Sequence, residues 1–382
     1  MMAIPLRALT AVALVLFASA LAAAPLPVPS APQLGARSWL LQDMHSGKVL
    51  AEKDIDRPVE PASITKIMTV YAVLHELRAD NLKLTDLVTV SKKAWRMEGS
   101  RMFIEVGKQV SVEALLKGVI IQSGNDASVA LAEHVAGDET TFAALMNRHA
   151  GRLGMTGTHF VNSTGLPDPE HLITARDIAT LSRALIVEFP KYYAWFAERE
   201  MTFNGIKQHN RNRLLWRDKS VDGVKTGHTA SAGYCLASSA ERDGMRLIAV
   251  VLGADSEEAR VQQSLSLLNY GFRFFETHRL YQAGETITEV RLWKGAQQTL
   301  PLGLASDDLW VTVSRGRYKQ LQPGMEIERQ ISAPVTRGQE YGTLSVRLGD
   351  EVIATAPLVA LQQVAEGGLW QQLSDTVRLW LE

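Results

Sequence analysis

The stretch PASITKIMT, Pro61 to Thr69, sets a serine and a lysine three residues apart at the head of an apolar-periodic run. Ile64, Ile67, Met68, Tyr71 and Leu74 recur at helical spacing, so the pattern predicts a helix with Ser63 and Lys66 on one face. The spacing alone carries little, because serine and lysine are common and S-x-x-K arises by chance in most chains of this size. Its meaning depends on what the rest of the chain supplies.

Two further pieces follow in order. Ser123-Gly124-Asn125 ends a predicted helix, SVEALLKGVIIQ, and Lys225-Thr226-Gly227 lies on a strand. Each is weak alone; together, in helix, loop and strand contexts, they form a reaction centre. A serine hydroxyl is a poor nucleophile until a base takes its proton. Lys66 serves if it is neutral near pH 7, and burial plus a second cation, Lys225, would both lower its pKa. Ser123 can relay a proton to a leaving amine, while Asn125 holds either the substrate amide or Lys66. A developing oxyanion needs donors, supplied by the N–H of Ser63 at its helix start and of His228 after the strand motif. Gly227 would let a substrate backbone lie close to that strand.

Around these pieces, SWLLQDMHSGKVLAE (Ser38 to Glu52) predicts two short strands around a His-Ser-Gly turn. LTDLVTV reads as a short strand, and DASVALAEHVAG, TFAALMNRHAGRLG and TARDIATLSRALIVEF as helices, with Gly137 and Gly154 placed as C-caps. GYCLASSA and MRLIAVVLG flank a turn at Asp243-Gly244. The expected class is therefore α/β (α+β), an antiparallel sheet with a helical subdomain, over residues 33–275. Beyond Phe275, ITEVRLW, LWVTVS, IERQIS and GTLSVRLGDEVIATAPLVA predict a small all-β domain over 276–362, of sandwich type.

The last stretch, 367–382, is an amphipathic helix. Leu369, Trp370, Leu373, Val377, Trp380 and Leu381 share one sector, which Leu379 breaks. It is too short and polar to span a bilayer, and two tryptophans at the apolar boundary suit the membrane interface. Gly367-Gly368 reads as a hinge favouring a membrane surface over docking on its own domain. The polar face is not basic, so binding would rest on apolar burial. At the other end, Arg7, the apolar ALTAVALVLFASALAAA and Ala20-Leu21-Ala22 read as an export signal over residues 1–22; the alternative is an uncleaved anchor.

Composition agrees with an exported enzyme. The 382 residues are 46% hydrophobic and 21% charged, with net charge −1, which points away from nucleic acid. A single cysteine, Cys235, excludes a disulfide framework and reads as a small core residue. His75-Glu76-Leu77 lacks the second histidine of a zinc motif, so neither metal nor cofactor is expected.

The quoted motifs, with GSRMF, RLGMTGTHFVNSTGLPD, VDGVKTGHTASAGYCLASSA and GFRFFET, resemble the low-molecular-weight D-alanyl-D-alanine carboxypeptidases of the penicillin-binding protein five and six type, members of the penicilloyl serine transferase fold. The likeness runs from about residue 33 to the C-terminus, since that family also carries a small β domain and a membrane tail. It implies that Ser63 is acylated by the penultimate D-Ala of a peptidoglycan pentapeptide stem, with Lys66 as base and Ser123, Asn125 and Lys225 completing the centre. Thr226 and His228 would face the terminal carboxylate. Arg211, in HNRNRLLW, matches the arginine supporting that anion, and Arg260 a second, although GADSEEAR departs from the family wording. β-Lactams would inhibit, and the enzyme would sit on the periplasmic face of the bacterial inner membrane.

Three rivals remain. A class A β-lactamase needs an E-x-x-L-N stretch, absent between Asn125 and Lys225. A DD-endopeptidase of this fold usually lacks the C-terminal parts, and an inert scaffold would not need three intact motifs. For single residues, His228 as an incidental polar group and Arg211 as part of a solvated basic cluster are the plain alternatives. Gly99-Ser100 either borders the cleft or is a structural loop, and the loop is the reading taken.

Overall fold

The computed structural model describes residues 28–381; the export signal read over 1–22 lies outside them. A five-stranded antiparallel sheet runs Val49–Lys53, Ser38–Asp43, Met245–Ala254, Gly233–Arg242, Val221–Thr229. Its inner strands are largely buried on both faces and alternate with period two, while the edge strand Val49–Lys53 exposes Glu52 and Lys53. Leu40, Ile248 and Val250 face one core, with the helices Lys66–Arg78, Asn125–Ala136, Glu139–Arg152 and Ala175–Glu188. Trp39, Leu41, Leu247, Ala249 and Val251 face another, against the helix Glu257–Phe274. Cys235 is buried on the sheet, as its isolation implied. The hairpin at Asp243-Gly244 has both residues at positive φ, 51° and 78°, as a tight turn between twisted strands requires. Helix caps follow the usual chemistry: Ser111, Asp138, Thr174 and Ser256 each accept an N–H of the first turn.

The edge strand Val221–Thr229 carries Lys225, Thr226, Gly227 and His228. The sheet therefore presents that motif at a border, beside the turn that carries Ser63.

The helix Glu257–Phe274 passes directly into the strand Phe275–Tyr281, where the β-rich region begins. Its six-stranded sheet includes Thr286–Trp293, Thr299–Gly303, Glu340–Leu348 and Glu351–Ala360. IERQIS is not one strand: Ile327 ends Leu321–Ile327, and only Ile331–Ser332 pairs again. Pro323 and Gly324 obscured Leu321–Ile327 in the sequence; it is a sheet edge, where a missing N–H is tolerated. Side chains tie the two regions together. Thr277 Oγ1 donates to Asp43 Oδ2 at 2.7 Å, and His45 stacks on Trp310 with centroids 4.3 Å apart.

The terminal helix spans Leu369–Leu381. Its polar side docks: Asp375 is 6% exposed and accepts the Lys294 N–H at 2.8 Å. Its apolar side faces out, with Trp370 87% and Trp380 90% exposed, joined by Leu369, Leu373 and Val377. Docking and an open apolar face coexist. Gly367 corrects the hinge reading, since its N–H donates to the Lys294 carbonyl at 2.8 Å and a Cβ there would crowd Gly295.

Candidate active site

Ser63 lies in a 3-10 turn, Ala62–Thr65, that leads into the helix Lys66–Arg78. The sequence periodicity placed it within the helix. The tighter turn matters, because residues i and i+3 eclipse in 3-10 geometry and set Lys66 directly over Ser63. Lys66 Nζ is 2.9 Å from Ser63 Oγ, 2.7 Å from Asn125 Oδ1 and 2.7 Å from the Thr164 carbonyl. A neutral amine has two N–H groups and one lone pair. With its two N–H groups given to Asn125 and Thr164, the lone pair meets the Ser63 hydroxyl. Lys66 is 1% exposed, and burial pulls its pKa down to about 7, against the raising effect of Asp126 and Glu139.

Asn125 has both ends engaged: Oδ1 accepts from Lys66, and Nδ2 donates to the Glu98 carbonyl at 2.6 Å. Of the two tasks open to it, the structure shows it holding Lys66. Ser123 follows a π-helical turn, Gly118–Gln122, and sits in the left-handed region at φ 65°. That conformation is uncommon outside glycine and aims the hydroxyl at Lys225 Nζ, 2.9 Å away. Lys225 is 2% exposed; burial lowers its pKa strongly, with the nearby Lys66, Arg260 and Arg211 charges adding to the effect. Burial is thus the main cause for both lysines, whereas the sequence reading gave Lys225 a share in lowering Lys66.

These groups open on a cleft of about 480 Å³, lined by Ser63, Ser123, Asn125, Thr226, Gly227 and His228, a size usual for small-ligand sites. Arg211 and Arg260 line it too, as do Gly99 and Ser100, so that of their two readings the cleft border, and not the structural loop alone, is the one found. Arg260 is buried, donates to the Gly227 carbonyl at 3.2 Å and to Glu257 at 3.3 Å, and its Nε has no partner among the described residues. His228 stacks on Tyr234 at 4.0 Å. Gly227 also has a reason the sequence did not show. A side chain there would meet the Pro61 carbonyl and Ile64, so the glycine lets the strand approach the Ser63 turn. Sequence reasoning missed Thr164 and Gly165, on the opposite wall. The Asn-Ser-Thr-Gly run around them was the available signal for a tight turn.

Residues 27–256 match the family model described as D-alanyl-D-alanine carboxypeptidase, and residues 275–366 match the C-terminal domain of penicillin-binding protein 5. The chain belongs to the D-alanyl-D-alanine carboxypeptidase family. It is 47% identical to D-alanyl-D-alanine carboxypeptidase DacC of Escherichia coli (strain K12) over 91% of this chain and 89% of that one. Penicillin-binding protein 5 from Haemophilus influenzae is similar in structure, with TM-score 0.85 and 39% identity over 88% of this chain and 100% of that one. The ampicillin-bound penicillin-binding protein D2 from Listeria monocytogenes matches with TM-score 0.59 and 30% identity over 64% of this chain and 100% of the other. The fold of this serine carboxypeptidase family accounts for the sheet edge, the helical wall and the β-rich C-terminal region.

Proposed function

We propose that this carboxypeptidase removes the terminal D-Ala from peptidoglycan pentapeptide stems through an acyl-enzyme on Ser63. The contact that carries the reading is Lys66 Nζ against Ser63 Oγ, with its other two bonds already satisfied. Lys66 takes the hydroxyl proton as Ser63 attacks the penultimate carbonyl. The oxyanion is met by the Ser63 amide, which has no helical partner at the first turn, and by the His228 amide. Lys66 returns the hydroxyl proton through Ser123 to the leaving nitrogen, while Lys225 holds the Ser123 hydroxyl in place at 2.9 Å. Arg260, Arg211, Thr226 and His228 hold the free carboxylate, which makes the enzyme an exopeptidase. Among the described residues no other side chain hydrogen-bonds Ser63 Oγ; Lys66, neutral again once its proton has left with the D-Ala amine, is the base placed to activate water for deacylation.

β-Lactams acylate the same serine. The protein is exported by residues 1–22 and works as a catalytic region over 33–275 and a β domain over 276–362. It rests on the periplasmic face of the inner membrane through the apolar face of 367–382. The test is D-Ala release from a diacetyl-Lys-D-Ala-D-Ala tripeptide. Release that penicillin blocks and Ser63→Ala abolishes supports the reading. Penicillin labelling of Ser63 without any release would keep the nucleophile and overturn the substrate.

A further inference from the structure

Behind the Thr164 carbonyl lies a carboxylate that touches no part of the cleft. Glu139, in the first turn of Glu139–Arg152, turns inward: its Oε1 accepts from the Ser163 N–H at 3.1 Å and the Ser163 hydroxyl at 2.8 Å. Its Oε2 pairs with Lys93 Nζ at 2.9 Å. Ser163 is fully buried, and its carbonyl accepts from Thr69 Oγ1 at 2.6 Å, on the helix that Lys66 begins. Asn162 closes the same turn by accepting from the Thr164 and Gly165 amides at 3.1 and 2.7 Å. The next carbonyl, that of Thr164, receives Lys66. A neutral amide would accept the Ser163 bonds equally well. The charge on a carboxylate only 12% exposed is therefore the feature needing a cause.

We propose that Glu139 is a positioning residue: through Ser163 it holds the Thr164 carbonyl against Lys66 Nζ. The inference rests on Lys66 being the base for Ser63. The surrounding charges are accounted for. Asp126 faces Lys66 from the helix Asn125–Ala136, and Lys225 and Arg260 lie toward the sheet edge. His171 donates to or accepts from Thr65 at 2.8 Å and is kept neutral by burial. Lys93 opposes Glu139, with Glu133 and Asp138 near Lys93. Negative charge favours the lysine ammonium, and Glu139 acts in that direction on Lys66. Removing the charge must move deprotonation to lower pH, and removing its counter-ion must move it to higher pH.

The experiment measures the rate of Ser63 acylation by labelled penicillin against pH, on the full-length protein, with melting temperatures to verify folding. In Glu139→Gln the acid limb moves to lower pH, and in Lys93→Met to higher pH. Glu139→Ala moves the limb as Gln does and also lowers the plateau rate, on the order of tenfold, as the carbonyl loosens. A purely structural Glu139 would change melting temperature and leave every limb where the wild type has it; that result overturns the proposal. An unchanged plateau in Glu139→Ala overturns the positioning role. Absence of labelling at Ser63 in the wild-type protein would overturn the proposed function itself, and this inference with it.

Discussion

Gly165 packs its Cα directly against the carbonyl of Ala62, the residue before Ser63, so closely that a side chain at 165 would overlap that carbonyl. Gly165 has φ +82°, and Ala62 itself sits at φ +48°. The strained turn that presents Ser63 is thus wedged between Gly165 on one wall and Gly227 on the other. Gly165→Ala would combine a disfavoured φ with a backbone clash. It should cost about 2 kcal/mol or more and slow penicillin acylation at least tenfold. A urea titration and an acylation time course on the same variant measure both effects.

Acylation should fall as pH drops below about 7, the value at which burial places Lys66. The neutral lysine is the active form, so below that point the rate declines about tenfold per pH unit. Lys66→Ala should lose acylation by roughly 10²- to 10⁴-fold at every pH, with no acid limb left to observe. The pH dependence of acylation by a chromogenic cephalosporin measures this.

Arg260 lines the cleft, one of its terminal nitrogens donating to the Gly227 carbonyl and its Nε without a partner among the described residues. Arg260→Ala should reduce kcat/KM on a peptide with a free C-terminal carboxylate by about 1.5–3 kcal/mol, roughly 10- to 150-fold. The same variant should show little change on the C-terminal amide of that peptide. Equal losses on both would place Arg260 in a structural role only.

Acid should destabilise the fold before it titrates most carboxylates. His75, His149 and His171 are each held down to about 4, in every case chiefly by burial, with Arg152 charge adding for the first two. Their folded pKa values lie below the unfolded value. The stability they contribute is therefore present above pH 6.5 and lost as pH falls toward 4. The rings of His75 and His149 lie 4.5 Å apart, so charging both is doubly costly. The unfolding free energy from urea titration should drop across that window by at least about 1 kcal/mol, and His149→Gln should flatten the slope.

The terminal helix should bind neutral phosphatidylcholine vesicles through Trp370 and Trp380. Replacing either by serine should weaken binding roughly tenfold. Because the exposed face is apolar, raising salt about tenfold, which shortens the screening length roughly threefold, should change binding little. Cosedimentation measures this, and truncation before Gly367 should abolish it with D-Ala release intact.

Much of the site could be read from residue type and order. Ser63, Lys66, Ser123, Asn125, Lys225 and Thr226 occupy one cleft because the chemistry of serine acyl transfer demands those side chains, and side chains are what a sequence displays. The sheet was equally legible, since strands such as Met245–Ala254 are long, apolar and bounded by turn residues. Tertiary structure decided what depends on backbone groups and on burial. The Thr164 carbonyl that orients Lys66 has no residue-type signature, and it arrives from 98 positions away. The same holds for Gly165 against Ala62 and for the 3-10 turn that eclipses Ser63 with Lys66. The pKa of Lys66 follows from removing it from water, which only the assembled core can do. The terminal helix shows the division most plainly: its amphipathic pattern is written in the sequence, but that its polar side docks through Asp375 and its apolar side faces out depended on where the Lys294 amide came to lie.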